Sequence, residues 1–228
     1  MGGWLVGLPF TSAPIAFFLA RDEGLAFAAA AAVGIMAGTV SQAVFCLAYA
    51  RTAVRAGWPA AFAAAAAAFV VSTLALRALP LALLPLAVAA AATLVIVRRL
   101  MPAGVAAPRA AATVLPWWDI PARMVATTGY VLLLTGVAPH LGPRLTGLIT
   151  PFPLYAAVLV IFAHALEGPA RAAGVLRGLI LGLYCFVGFF LVLAAVLERW
   201  GIALGFTAAT IVALAIQGAA LWTLRRGA

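Results

Sequence analysis

Few side chains in this sequence can do chemistry, and their placement matters more than their number. Asp and Glu together number five and His two among 228 residues. His164 and Glu167 stand three residues apart, which puts them on one face of a helix. An imidazole beside a carboxylate can relay a proton, because small changes of environment move histidine across neutral pH. Glu23, next to Arg21 and Asp22, is a second acidic point. His164, Glu167 and Glu23 are therefore the expected proton-coupling residues. The plainer alternative is a pair of solvated turns. In Glu167-Gly168-Pro169, glycine suits the end of one helix and proline the start of the next.

A second constellation combines proline with hydroxyl residues. Pro9 and Pro14 flank Thr11 and Ser12, while Pro151 and Pro153 lie between Thr150 and Tyr155. Proline removes an amide donor and frees a carbonyl one turn earlier. Inside a membrane such a break offers backbone groups to a solute or ion. These eight residues, with the amides Gln42 and Gln217, are the expected substrate-binding set. The competing roles are prolines that merely open helices and glutamines that bond neighbouring helices. Catalytic signatures are missing: no HExxH, CxxC, GxSxG or P-loop pattern occurs. Cys46 and Cys185 lie in separate apolar runs and read as buried thiols. No enzyme activity, cofactor or metal is expected.

The elements that must position these residues follow from where charge is absent. Only 8% of residues are charged, 67% are hydrophobic and the mean hydropathy is +1.20. A soluble domain carries about 25% charged residues, so a water-compatible surface is out of reach. Eight stretches of at least twenty residues lack Asp, Glu, Lys and Arg. About 20 apolar residues span the hydrocarbon core as a helix. The spacing predicts an all-α, polytopic transmembrane bundle of about eight spans, at 4–20, 25–50, 58–77, 80–98, 121–140, 147–166, 172–197 and 202–224. The N-terminal run lacks a basic leader, so it reads as a retained span.

The chain divides into a first half (1–98), an interfacial linker (99–120) and a second half (121–228). The linker contains Pro102, Pro108 and Pro116 and ends in Trp117 and Trp118, an aromatic pair suited to the membrane interface. Asp119 before Pro121 suits a helix start. The formal net charge of +9 comes from arginines scattered between apolar runs. That scatter opposes a nucleic-acid surface, which gathers its basic residues on one soluble face. With the N-terminus inside, Arg51, Arg55, Arg98, Arg99, Arg109, Arg123, Arg171, Arg177, Arg225 and Arg226 are inside. Arg21, Arg77, Arg144 and Arg199 are then outside, a ratio of ten to four. The positive-inside rule thus places both termini in the cytoplasm, with the chain in a bacterial inner membrane.

Residues 9–62 also match 153–206 without gaps at an offset of 144. Identical pairs include Pro9/Pro153, Phe18/Phe162, Glu23/Glu167, Gly24/Gly168, Gly34/Gly178, Gly38/Gly182, Phe45/Phe189, Gly57/Gly201 and Phe62/Phe206. The copies start at spans one and six. Five spans is an odd number, so spans 1–3 and 6–8 are expected to lie upside down relative to each other. In keeping with this, Phe27 and Val33 face Arg171 and Arg177, whereas Arg51 faces Ala195. The small-xxx-small pairs Gly34/Gly38 and Gly178/Gly182 are expected to pack spans two and seven together.

With these paired proline segments and inverted copies, the organisation resembles small bacterial inverted-repeat secondary transporters. The resemblance implies a solute site between the copies near the bilayer midplane, reached from alternate sides. The expected partners are the lipid bilayer and a small-molecule solute; nucleic acid is not expected, and the Gly- and Ala-rich surfaces also allow a homo-oligomer. A structural or assembly protein of the membrane, or a channel, is the alternative.

Overall fold

The computed structural model describes residues 8–79, 82–102 and 119–226, all helical or in short connections. The linker residues Pro108, Pro116, Trp117 and Trp118 lie outside the described residues. The helices are α1 (Ser12–Asp22), α2 (Leu25–Ala53), α3 (Trp58–Arg77), α4 (Leu83–Leu100), α5 (Asp119–Ile149), α6 (Leu154–Glu167) and α7 (Pro169–Arg226).

Four of them are long and apolar enough to cross a membrane: Leu25–Ala53, Trp58–Arg77, Leu83–Leu100 and Pro169–Trp222. A fifth crossing results if Thr128–Ile149 and Leu154–Glu167, bent by 42°, are taken as one span. The exterior fits this use. Val70, Val71 and Leu74 on α3 and Leu84, Val88 and Ile96 on α4 are exposed. Soluble monomers rarely display apolar surface on this scale. The chain is thus a helical membrane protein.

The crossing-length segments number fewer than the eight that charge spacing predicts, for local reasons. α1 has 11 residues and α6 has 14, each too short alone for a core about 30 Å thick. α5 does not stop near residue 140; it kinks at Gly142 and continues to Ile149. α7 has 58 residues, about 87 Å if straight. It breaks at Gly201 (φ 71°, ψ −178°), between the two spans predicted at 172–197 and 202–224. Gly168, in the α6–α7 turn, has a similar backbone (φ 90°, ψ 176°), a region that is essentially glycine-only.

α2 is central and contacts α3, α4, α5 and α7 extensively. Spans two and seven pack together as expected, α2 lying extensively against α7. The atoms nearest Gly34 and Gly38, however, belong to the end of α5 and the turn after it. A Cβ on Gly34 would lie 2.8 Å from the Arg144 carbonyl oxygen. On Gly38 it would lie 2.5 Å from the Leu148 oxygen and 2.8 Å from Pro151 Cγ. Gly147 in turn approaches Ala31 and Gly34. Glycine on both partners lets the two backbones come this close. Further along, Phe45 meets Phe152 edge-on (centroids 6.1 Å apart) and Tyr49 meets His164 (5.9 Å). The 144–164 segment therefore runs parallel to α2 along its length.

Arginines fix the direction of the remaining helices. The last carbonyls of a helix lack amide partners and carry partial negative charge. At the end of α4, Arg51 of α2 donates to the Leu100 carbonyl (3.3 Å). Arg177 of α7 donates to those of Met101 (2.9 Å) and Pro102 (3.1 Å). Arg51 lies near the C-terminus of α2 and Arg177 near the N-terminus of α7, so α2 and the first part of α7 are antiparallel. Arg144 serves the end of α3 in the same way, donating to the carbonyls of Leu76 and Leu79.

Candidate functional site

The site is built where helices start or stop in mid-bundle. Pro153 cannot donate to the Ile149 carbonyl one turn earlier, so α5 cannot run on into α6. The freed Ile149 oxygen accepts from the Tyr130 hydroxyl at 2.7 Å and from the Phe152 amide at 2.9 Å. Pro153 itself (φ −80°, ψ 55°) centres an inverse γ-turn, closed by the Leu154 amide on the Phe152 carbonyl at 2.8 Å. Pro9 sits in a matching three-residue turn, with the Phe10 amide on the Leu8 carbonyl, also at 2.8 Å. After each turn a helix begins with a bond to the proline carbonyl: Ala13 to Pro9 at 2.9 Å, and Ala157 to Pro153 at 2.6 Å.

Between these two turns lies a cavity of ≈ 40 Å³. It is lined by Leu8, Pro9, Thr11, Ser12, Thr150, Phe152, Pro153, Leu154, Tyr155, Ala156 and Phe186. Six of the ten expected binding residues are thus brought together: Pro9, Thr11, Ser12, Thr150, Pro153 and Tyr155. Ser12 and Thr150 are almost completely buried. The Thr150 hydroxyl donates to the Thr146 carbonyl at 2.7 Å. No Asp, Glu, Lys or Arg lines the cavity.

The other four lie elsewhere. Pro151 is buried against Gly38. Pro14 borders an adjoining apolar groove of ≈ 330 Å³, which shares Leu8 and Pro9 with the cavity and has Phe10, Phe189 and Leu214 among its other walls. Gln42 and Gln217 are buried within α2 and α7 but do not line the cavity. Leu8, Phe152 and Phe186 were not singled out in the sequence. They carry no polar signal, and only the meeting of α1, α6 and α7 makes them walls.

The expected His164–Glu167 relay is divided between different partners. His164 Nδ1 lies 3.3 Å from the Tyr49 hydroxyl across the α2–α6 contact, and both side chains are buried. Glu167 instead pairs with Arg171 at 3.1 Å, spanning the Gly168 turn. Glu23 is exposed beyond the end of α1, where its amide caps the Leu19 carbonyl. Tyr49 was missed in the sequence because a tyrosine in an apolar run gives no pairing signal. Among the described residues, no group of three or more His, Cys, Asp or Glu gathers as a metal site.

Comparison with known proteins adds no relative: no family model, no curated protein and no solved structure matches the chain.

Proposed function

We propose that this chain is a membrane transporter of a small solute, built from two inverted three-helix copies that rock against each other around the cavity at the proline turns. The observation that carries this reading is how the cavity walls pair. Leu8/Phe152, Pro9/Pro153, Thr11/Tyr155 and Ser12/Ala156 all stand at the offset of 144 found in the sequence. A site shared by both copies is where alternating access between inverted repeats is expected to act.

Further support is local. Phe45 and Phe62 pack edge-to-face at 6.2 Å, and their counterparts Phe189 and Phe206 do so at 6.1 Å. Both Gly24 and Gly168 adopt positive φ at their turns. α3 and the helical stretch after Gly201 start at equivalent positions, 58 and 202. The antiparallel course of α2 and α7 is the relation that inverted copies require. On this reading the eight crossings are α1 to α4, α5 up to Gly142, the broken segment 143–167, and the two parts of α7. The arginine-rich ends at Arg51, Arg98, Arg99 and Arg177 would face the cytoplasm of a bacterial inner membrane, with both termini on that side. Proton coupling, if the transporter uses it, would run through His164 with Tyr49 rather than through His164 with Glu167.

The test has two parts. Single cysteines at positions 22 and 170, in a background lacking Cys46 and Cys185, should label from opposite sides of the membrane. Purified protein in liposomes should move at least one member of a broad panel of small solutes faster than protein-free vesicles. Labelling of both turns from one side, or inactivity across the panel, would overturn the reading in favour of an assembly role.

A further inference from the structure

We infer that the cavity and the apolar groove beside it form one site, which takes a neutral single-chain amphiphile entering sideways from the bilayer. The inference rests on the transport reading above and names the class of solute for that same site.

Size comes first. A buried water needs about 10–15 Å³, so a cavity of ≈ 40 Å³ has room for a polar head of a few atoms. The adjoining groove measures ≈ 330 Å³, within the range of about 300–1,000 Å³ usual for small-molecule sites. Leu8 and Pro9 belong to the walls of both. A molecule with its head in the cavity therefore extends past the Pro9 turn into the groove.

The two parts differ in chemistry. Thr11, Ser12, Thr150 and Tyr155 bring hydroxyls to the cavity, and a hydroxyl can both donate and accept. In the groove Thr210 is the one polar side chain among apolar walls. Neither part is lined by Asp, Glu, Lys, Arg or His. An ionised head would lose water there without gaining a counter-charge, whereas an alcohol or amide finds partners in the hydroxyls.

The occupant of the groove follows from where it opens and how it arises. On its rim Phe10 is 65% and Leu214 58% exposed. In a membrane protein such apolar side chains lie against lipid tails. The corresponding region at the offset of 144 is filled by protein. There Phe69 meets Phe152 edge-on with centroids 5.2 Å apart, and Phe45 does so at 6.1 Å. In the groove Phe189 keeps the place of Phe45, but Ala213 stands for Phe69 and Leu8 for Phe152. Two rings give way to smaller side chains. The space so freed leads from lipid on one side to the hydroxyls on the other. An alkyl chain suits that path; a wholly polar solute would leave its hydrogen-bonding groups unpaired along it.

The experiment photolabels the full chain in lipid nanodiscs with octan-1-ol that carries a diazirine near the end of its tail. Mass spectrometry is expected to find the label on Phe10, Pro14 or Leu214, and unlabelled octan-1-ol should displace it. At matched bilayer concentration octane should displace it about 2- to 10-fold less well, for want of one hydrogen bond. In Ala213→Phe, which restores the ring found in the other copy, labelling of the groove should be lost. Should that variant fail to fold, Thr210→Trp at an exposed wall position is expected to give the same loss. Label spread evenly over the lipid-facing helices, or unchanged in a folded blocking variant, would overturn the site. Octane displacing as well as octan-1-ol would overturn the amphiphile, and octanoate displacing better at alkaline pH would overturn its neutral head. Flux of a water-soluble solute without label in the groove would sink this inference and leave the transport reading standing. Label in the groove without flux of any panel solute, amphiphiles included, would keep the site and overturn transport.

Discussion

At the level of single residues, the break between α5 and α6 is made by Pro153 and capped by one hydroxyl. Pro153 deprives the Ile149 carbonyl of its helical donor, and Tyr130 replaces it from a neighbouring part of α5 at 2.7 Å. Without that bond the carbonyl retains only the Phe152 amide. A typical internal hydrogen bond contributes about 0.5–1.5 kcal/mol net. Tyr130→Phe is therefore expected to lower stability by about 1 kcal/mol, read as an earlier thermal unfolding midpoint in detergent. An unchanged midpoint would mean that Phe152 alone suffices. His164 gives a different lesson. Its spacing from Glu167 was correct for a shared helical face, yet Glu167 turned to Arg171 and His164 to Tyr49. An i,i+3 spacing makes contact available; competing partners determine whether it is used.

At the level of helices, glycine sets both the breaks and the close approaches, and its two uses can be separated. At Gly201 an added Cβ would meet nothing within 4 Å, but the positive φ of 71° excludes other residues. Gly57, its counterpart at the offset of 144, has an ordinary φ of −64°. Holding a non-glycine residue in the Gly201 conformation costs about 1–3 kcal/mol. Gly201→Ala is accordingly expected to destabilise by that amount, while Gly57→Ala stays near neutral. Equal effects in thermal unfolding would show that the α7 break is not fixed by this backbone. The identical residues therefore do different jobs: one relaxes a loop between helices, the other bends a continuous helical run.

At the level of the whole molecule, the arginines divide between two ends of the bundle. Arg51 and Arg177 meet at the carbonyls of residues 100–102, and Arg144 meets the end of α3 next to Arg77. In a membrane these two sets lie on opposite faces. Cysteines placed singly at 51 and 177 should react with an impermeant thiol reagent from one side, and cysteines at 77 and 144 from the other. A mixed pattern would contradict the arrangement of helices, whatever the protein carries across. The same positioning explains why so few charges suffice for the fold. Arg51, Arg144 and Arg177 at these ends donate to helix carbonyls that lipid cannot satisfy.

Composition and charge spacing alone determined that this is a helical membrane protein, because long uncharged runs have no stable alternative to crossing lipid as helix. They also located the proline–hydroxyl segments whose members line the cavity, since a missing amide is a property of the residue itself. Tertiary structure alone decided which of those residues converge. Thr11, Ser12, Thr150 and Tyr155 meet at one cavity, while Pro151 packs on Gly38 and Gln42 and Gln217 are buried away from that cavity. It also decided that Gly34 and Gly38 receive the end of α5, and that Tyr49 faces His164. The division has a physical cause. Insertion into lipid is set by the local sum of apolar and charged residues along one segment, whereas a partner in the bundle is chosen by shape and hydrogen bonding between segments far apart in the chain.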